Sequence, residues 1–136
     1  MQTFLPYQSY HRSAAVLDRQ RLGKQRIEAL QILKTLLGHS SGWAHHPAVK
    51  MWYGYEVSLA FYGKVICEEW CLRGYEDSVG LHELTELNIA GNIEDPPWLG
   101  WEDFHVSHQS NLLRKNPAYY EQFFPDVPNN LPYIWP

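Results

Sequence analysis

Apolar residues recur at near-helical spacing between residues 15 and 36. These positions are Ala15, Leu17, Leu22, Ile27, Ala29, Leu30, Leu33 and Leu36. Ser13 stands just before the run and is of a type that caps helix N-termini, while Gly38 stands just after it and is of a type that ends helices. The pattern therefore predicts a long first helix between Ser13 and Gly38.

A second long helix is predicted to follow a polar loop. Pro47 suits the first turn of a helix and Gly74 suits a helix end, so the helix should span residues 47–73. Gly54 and Gly63 lie inside it, although glycine costs about 1 kcal/mol relative to alanine in a helix interior. We therefore expect close helix crossings at both glycines.

The rest of the chain predicts one more long helix and several short elements. The third helix should span Glu102–Lys115, a short helix should cover 81–89, and a short amphipathic turn should cover 118–124. The last twelve residues contain four prolines, and no strand-like alternation or repeat is found. We therefore expect an all-α fold, with residues 1–136 forming one compact domain of three main helices, short helices and a proline-rich C-terminal tail.

Length and hydropathy narrow the class of protein. A chain of 136 residues with 45% hydrophobic residues can bury a core without disulfides or a structural metal. No signal peptide is found, and no apolar run is long enough for a transmembrane helix. We therefore expect a cytoplasmic protein that does not contact a membrane.

Positive charge is concentrated on the first predicted helix. Residues 17–30 contain four of the eleven Lys and Arg residues, in a protein of net charge −4. Arg21, Lys24 and Glu28 share the face opposite the apolar one, so we expect a carboxylate between two cations. The face has two interpretations, a solvated surface with a Lys24–Glu28 pair or a site for an anionic partner. The concentration of charge favours the second.

Two further arginines of this helix, Arg19 and Arg26, project toward its apolar side. An unpaired guanidinium is costly to bury, so each should have a partner. Phe4 and Leu5 have two interpretations. The usual one is a frayed chain end, and the other is burial, which would hold the chain's α-amine at a defined place.

Glu56 is an isolated acid within the second predicted helix, and it has two interpretations. The first is an exposed or locally paired side chain, and the second is an acid in a pocket. We favour the first for an isolated acid.

Several segments of the chain resemble one family of DNA-repair enzymes. They are Met1-Gln2-Thr3-Phe4-Leu5-Pro6-Tyr7, Leu17 to Leu30, Gly42-Trp43, His46-Pro47-Ala48, Met51-Trp52, Gly54-Tyr55-Glu56, Leu72 to Tyr75 and Ser107 to Lys115. With them the chain resembles the pyrimidine-dimer DNA glycosylase family, the relatives of phage T4 endonuclease V. Within that family it most resembles a bacterial and phage group that starts with the same seven residues.

The resemblance implies a helical fold, a DNA glycosylase activity and a possible second activity that cuts the strand at the abasic site. In the family the N-terminal amine attacks C1′ of the damaged nucleotide and an imine forms. By position, the amine corresponds to Met1 and the assisting glutamate to Glu28, with Arg21 and Lys24 beside them. The implied partner is double-stranded DNA, bound by a monomer with no cofactor and no metal.

Two further groups of residues are implied to contact the substrate. The expected DNA-binding residues are Gln2, Arg12, Arg19, Arg26, Arg114 and Lys115. The expected base pocket consists of Trp43, His46, Trp52, Tyr55, Glu56, His105, His108 and Gln109. Aromatic and polar side chains suit a pocket for a flipped base, and cations suit phosphates.

The start of the chain departs from the founding enzyme. Gln2 replaces an arginine and should leave Met1 in place, so the attacking amine carries a bulkier side chain, or Lys24 substitutes for it. For this reason specificity for pyrimidine dimers is not carried over. A different lesion or a modified base is an equal alternative.

Two other functions stay open at this point. His45, His46, His105 and His108 supply enough imidazoles for a metal-dependent nuclease. Alternatively, the altered start of the chain is compatible with a DNA-binding module that has lost catalysis.

Overall fold

The computed structural model describes residues 1–40, 42–78 and 80–136, which form seven helices and no strand. The helices are α1 (Tyr10–Val16), α2 (Arg19–Leu36), α3 (Pro47–Lys50), α4 (Glu56–Leu72), α5 (Gly80–Glu86), α6 (Glu102–Lys115) and α7 (Pro117–Tyr120). None of these described helices is both long and apolar enough to cross a membrane. The predicted all-α fold is confirmed, with α2, α4 and α6 as its main helices.

The first predicted helix starts earlier than expected and has a different cap. Ser9 caps α1, because its hydroxyl oxygen accepts a hydrogen bond from the Arg12 N–H at 3.2 Å. Ser13, the predicted cap, is buried within α1, and its hydroxyl donates to the Tyr7 carbonyl oxygen at 3.0 Å. The predicted N-cap was therefore wrong.

The same predicted helix is divided in two, because a contact with α7 holds the chain extended at Leu17 and Asp18. The Asp18 N–H donates to the Tyr120 hydroxyl oxygen at 2.9 Å, and that hydroxyl donates back to Asp18 Oδ1 at 2.5 Å. A new helix, α2, then begins at Arg19. Its predicted end is confirmed, since Gly38 has a φ of +83° just beyond the helix.

The second predicted helix is also divided. Gly54 takes a φ of +86°, and its N–H donates to Glu56 Oε1 at 3.2 Å, so the chain leaves α3 and restarts as α4. The close crossing expected at Gly54 was wrong, because no described residue beyond its chain neighbours lies within 4 Å of an added Cβ. Gly63 does mark a close crossing, because an added Cβ would lie 3.2 Å from Leu84 Cδ1. The predicted stop at Gly74 is confirmed by its φ of +92°.

The third predicted helix has the expected bounds, Glu102–Lys115. The short helix predicted over 81–89 is present as α5, which begins one residue earlier and ends three residues earlier. In the predicted turn over 118–124, helical structure is limited to α7. These elements support the long helices rather than adding a second core.

The first residues of the chain are packed between α2, α4 and α6, and residues 2–6 are all buried. Trp52 Nε1 donates to Thr3 Oγ1 at 3.0 Å, and the Tyr62 hydroxyl donates to the Phe4 carbonyl oxygen at 2.9 Å. The start of the chain is therefore part of the core. Of the two interpretations of Phe4 and Leu5, burial is therefore confirmed, and a frayed end is wrong.

Two histidines of α6 hold the backbone of Leu5 from both sides. The Gly100 N–H donates to His105 Nε2 at 2.9 Å, so His105 Nδ1 carries the proton and donates to the Leu5 carbonyl oxygen at 2.8 Å. The Leu5 N–H donates to His108 Nδ1 at 2.9 Å. Both imidazoles are buried and neutral, and together they fix the chain start on α6.

The proline-rich tail lies along α6 and is held by serine side chains. The Leu131 N–H donates to Ser110 Oγ at 3.0 Å, and the Ile134 N–H donates to Ser107 Oγ at 3.2 Å. The tail is irregular, as predicted, but these contacts give it a defined path. That path brings its last aromatic residues beside the start of the chain.

Both arginines on the apolar side of α2 have the expected partners. Arg26 Nη1 lies 2.6 Å from Asp77 Oδ1, and its guanidinium stacks over the Trp70 ring at 4.4 Å. Arg19 stacks over the Tyr75 ring at 5.1 Å. Through these contacts the two arginines attach the segment after α4 to α2.

Low pH is predicted to destabilise the fold through His108. Burial and the nearby His105 lower the pKa of His108 from 6.5 to about 3. The unfolded chain therefore binds a proton that the folded chain excludes, so this contribution is complete above pH 6.5 and is lost as pH falls toward 3. Urea unfolding should show a loss from this group approaching about 1.4 kcal/mol per pH unit below pH 6.

The matched variant for this prediction is His108→Asn. Asparagine keeps an acceptor for the Leu5 N–H but does not titrate. The difference in free energy of unfolding between the wild type and the variant should shrink between pH 7 and pH 5. A difference that does not change with pH would contradict the assignment.

Candidate functional site

A cavity of about 310 Å³ lies where the chain start, α2 and the C-terminal tail meet. Its lining consists of Met1, Gln2, Phe4, Gln20, Arg21, Lys24, Glu28, His46, Lys115, Tyr133 and Trp135. The cavity brings together seven of the sequence-predicted site residues, namely Met1, Gln2, Arg21, Lys24, Glu28, His46 and Lys115. Glu28 is the one carboxylate in this lining, which also contains the cations Arg21, Lys24 and Lys115.

The α-amine of the chain belongs to this cavity because the residues after it are anchored. Met1 itself is half-buried, whereas Gln2 is buried and its Oε1 accepts a hydrogen bond from the Thr3 N–H at 2.9 Å. Desolvation and the positive charge of the α-amine both lower the pKa of His46. The amine therefore lies close enough to the His46 imidazole to act on its pKa, and both residues line the cavity.

Gln25 connects the chain start to Glu28. Its Nε2 donates to the Gln2 carbonyl oxygen at 2.8 Å and to Glu28 Oε2 at 2.9 Å. Its Oε1 accepts a hydrogen bond from the Phe4 N–H at 3.0 Å and lies 2.8 Å from the Tyr62 hydroxyl, whose single proton it shares with the Phe4 carbonyl oxygen. One buried amide thus holds both the backbone beside the amine and the carboxylate.

The polar face of α2 is arranged differently from the prediction. Arg21 Nη1 lies 3.0 Å from Asp18 Oδ2, and Glu28 is held by Gln25. Among the ion pairs of the described residues, none joins Glu28 to Arg21 or Lys24. The Lys24–Glu28 pair of the first interpretation is therefore not formed, because the uncharged Gln25 holds the carboxylate. All three side chains still line the cavity.

Two aromatic residues of the tail, Tyr133 and Trp135, form a wall that sequence reasoning missed. The Trp135 ring lies 5.9 Å from the His46 ring, and the Tyr133 ring lies 5.6 Å from the His108 ring. Aromatic residues two positions apart in an extended tail were the available signal. Their position depends on how the tail packs on α6, which helical spacing does not reveal.

A second, more apolar cavity of about 990 Å³ also borders the polar face of α2. It shares Gln20, Lys24 and Glu28 with the first cavity, and its far wall contains Trp70 and Tyr119. Gly23 keeps it open, because an added Cβ there would lie 3.2 Å from the Trp70 ring. Lys24 and Glu28 are therefore reached from two sides.

Most of the expected base pocket is not brought to the cavity. Trp52, His105 and His108 are core residues whose ring nitrogens hold the chain start, as described above. Gln109 has a similar role, because its Nε2 donates to the Pro6 carbonyl oxygen at 2.7 Å. These residues bind the chain start and do not line the cavity. Their side chains supply the hydrogen-bond partners that the buried backbone of the chain start needs.

The other expected pocket residues are at or outside the rim. Glu56 accepts the Gly54 N–H, which agrees with a local role, and Tyr55 is half-buried beside it. Trp43 is half exposed, and its ring lies 5.8 Å from the His46 ring. Of the eight expected pocket residues, His46 alone is part of the described cavity lining.

The expected DNA-binding cations also separate into two groups. Lys115 is exposed and lines the cavity, whereas Arg114 Nη1 donates to the Asn129 carbonyl oxygen at 2.8 Å and thereby holds the tail. Arg12 is exposed and stacks over the Tyr7 ring at 4.1 Å, away from the cavity. Arg19 and Arg26 have the stacking partners given above.

The histidines do not form the arrangement that a metal-dependent nuclease needs. Among the described residues, no group of three or more His, Cys, Asp or Glu side chains could hold a metal ion. His105 and His108 are bound to the Leu5 backbone, and His46 Nδ1 accepts the Ala48 N–H at 3.0 Å. Both ring nitrogens of His105 and one ring nitrogen each of His108 and His46 are therefore engaged by the backbone.

The geometry is complemented by comparison with known proteins. Searches of curated proteins and of solved structures gave no match. The family model described as pyrimidine dimer DNA glycosylase matches residues 1–82, more than half of the chain. The matched span contains the chain start, all of α2 and His46, whereas Lys115 and the tail lie beyond it. The chain therefore belongs to the pyrimidine dimer DNA glycosylase family.

Proposed function

We propose that this protein excises a damaged or modified base from double-stranded DNA, with the α-amine of Met1 as the nucleophile. The observation that supports this most is the shared cavity of the chain start, Glu28 and three basic side chains. Such a set suits attack on a sugar carbon that is flanked by phosphates. The proposal rests on this geometry together with family membership.

The proposed reaction begins when the amine nitrogen bonds to C1′ of the target nucleotide. The C1′–base bond breaks, and the base leaves with that electron pair and takes up a proton. The amine then loses a proton and the C1′–O4′ bond breaks, with O4′ taking up a proton, which gives an imine between Met1 and the opened sugar. Removal of a proton from C2′ allows β-elimination of the 3′ phosphate, which cuts the strand.

Met1 is a better candidate for the nucleophile than Lys24. In peptides an α-amine has a pKa near 8, whereas that of a lysine amine is near 10.4, so an α-amine is more readily neutral. The backbone after Met1 is also held by buried hydrogen bonds, whereas Lys24 is exposed between two cavities. Lys24 is the alternative nucleophile within the same mechanism.

Glu28 is proposed to stabilise positive charge on the sugar and the imine, and to move a proton during elimination. Its Oε2 is fixed by Gln25, and the residue lines the cavity beside Met1. A positioned acid or base of this kind contributes about 10²–10⁴-fold to a rate. Glu28 is therefore the side chain whose loss should reduce the chemistry most.

The remaining lining is proposed to bind the nucleotide. Arg21, Lys24 and Lys115 would neutralise phosphates, and the rings of Tyr133 and Trp135 would stack on an extruded base. Nothing in this lining selects a linked pair of pyrimidines over a single modified base. The proposed substrate class is therefore damaged or modified bases in general.

Duplex DNA with one abasic site tests the amine chemistry without knowledge of the base. Wild-type protein incubated with this DNA, borohydride and a chelator should give a covalent protein–DNA adduct. The Glu28→Gln variant should form it about 100-fold more slowly, because it loses the carboxylate. Glu68→Gln, an exposed glutamate on α4, is the control and should match the wild type.

The outcome separates the proposed enzyme from the DNA-binding alternative. Folded wild-type protein that binds the duplex but gives neither adduct nor strand cleavage would contradict the amine mechanism. That result would favour a binding module without catalysis.

Lys115 should contribute to DNA affinity through a phosphate contact that depends on salt. In Lys115→Gln the slope of log K against log salt concentration should become shallower by about 0.9. Lys64→Gln is the matched control, since Lys64 is exposed on α4 and not among the residues lining the cavity. Equal slopes for the wild type and Lys115→Gln would argue against the contact.

A further inference from the structure

We propose that Gln25 is a positioning residue for the reaction, one that holds the nucleophile and Glu28 in the relative position that the reaction needs. This inference rests on the proposed function, and it assigns a role to a residue that does not line the cavity. Gln25 has no exposed surface, so its part in the reaction would be to act through the groups it holds. Four contacts of its amide carry the argument.

The NH₂ group of Gln25 is the link between the two reacting groups. Its nitrogen donates to the carbonyl oxygen of Gln2, the residue next to the amine, and to Glu28 Oε2. An amide nitrogen has two protons to donate, and both are used here. The same atom therefore fixes the backbone beside Met1 and the carboxylate oxygen at the cavity.

The oxygen of the same amide fixes which way the NH₂ group points. Gln25 Oε1 accepts from the Phe4 N–H, and it lies beside the buried Tyr62 hydroxyl, whose single proton is shared with the Phe4 carbonyl oxygen. A rotation of the amide by 180° would place its protons against the Phe4 N–H, which can only donate. The orientation that serves Glu28 is therefore enforced from the core side.

Other hydrogen bonds hold the start of the chain without contacting Glu28. His105 and His108 bind the Leu5 backbone, and Trp52 binds Thr3. These contacts serve the fold, whereas that of Gln25 with Glu28 joins the fold to the carboxylate. A displacement of about 1 Å between reacting groups is enough to cost about 100-fold in rate.

The test uses Gln25→Met and Gln25→Glu in single-turnover trapping on abasic DNA with borohydride. Methionine has a similar length and no hydrogen-bonding protons, and glutamate keeps an acceptor for Phe4 but loses the NH₂ group. Both should lower the trapping rate at saturating DNA by about 10–100-fold, with an unchanged Kd for DNA. Gln31→Met, on the same helix and not among the residues lining the cavity, should leave both quantities unchanged.

The Tyr62→Phe variant distinguishes a positioning role of Gln25 from a purely structural one. This variant removes the hydroxyl that contacts Phe4 and Gln25. It leaves the Phe4 N–H bond that orients the amide and both bonds of the Gln25 NH₂ group. It should lower the urea midpoint while its trapping rate stays close to that of the wild type. Equal losses of rate in Tyr62→Phe and Gln25→Met at equal losses of stability would overturn the proposal.

The amine mechanism and the positioning role of Gln25 would be contradicted by different results. If the wild type forms no adduct, the amine mechanism fails, and the role of Gln25 falls with it. If the wild type forms the adduct and folded Gln25 variants trap at the wild-type rate, the positioning role alone fails.

If neither variant folds, NMR of the wild type decides the matter. The Gln25 side-chain protons should then exchange slowly and should shift in Glu28→Gln. Fast exchange or no shift would overturn the role.

Discussion

The hydrogen bonds of the buried Gln25 amide are the constraint on which the candidate site depends. Gln25 lies on α2, and it binds the chain start on one side and Glu28 on the other. A buried amide with all its donors and acceptors used is costly to disturb, because any lost partner leaves a polar group unsatisfied away from water. The start of the chain and the carboxylate are therefore held as one unit, although 27 positions separate Met1 from Glu28.

The rest of the fold makes that unit possible because it buries the first residues of the chain in the core. Residues 2–6 are buried, and α6 supplies two neutral histidines that bind both backbone groups of Leu5. A backbone buried in this way must have its N–H and carbonyl groups paired, which is why polar side chains of α6 point inward. The tail then follows α6 and adds aromatic walls to the cavity. The cavity therefore contains residues from both ends of the chain, including residues beyond the family match.

The sequence predicted the elements well and their side-chain contacts less well. Helical spacing and glycine stops gave α6 and the ends of α2 and α4, because those signals are local. The breaks near Asp18 and Gly54 were missed, since the first depends on a tertiary bond to Tyr120 and the second on a glycine that helical spacing tolerates. Histidines at helical spacing on α6 looked like a pocket, but spacing does not show that their partner is a backbone from the other end of the chain. The charge on α2 was a good guide, because all of its cavity-lining residues except Gln20 were named from it.

The most direct test of the account identifies the atom that bonds to DNA. Protein trapped with borohydride on abasic duplex DNA would be digested with protease and nuclease, and the modified peptide sequenced by mass spectrometry. The account predicts a reduced sugar remnant on the α-amine of Met1. A remnant on Lys24 or another lysine would contradict the assignment of the nucleophile, and an absence of any remnant from folded, DNA-bound protein would contradict amine catalysis itself.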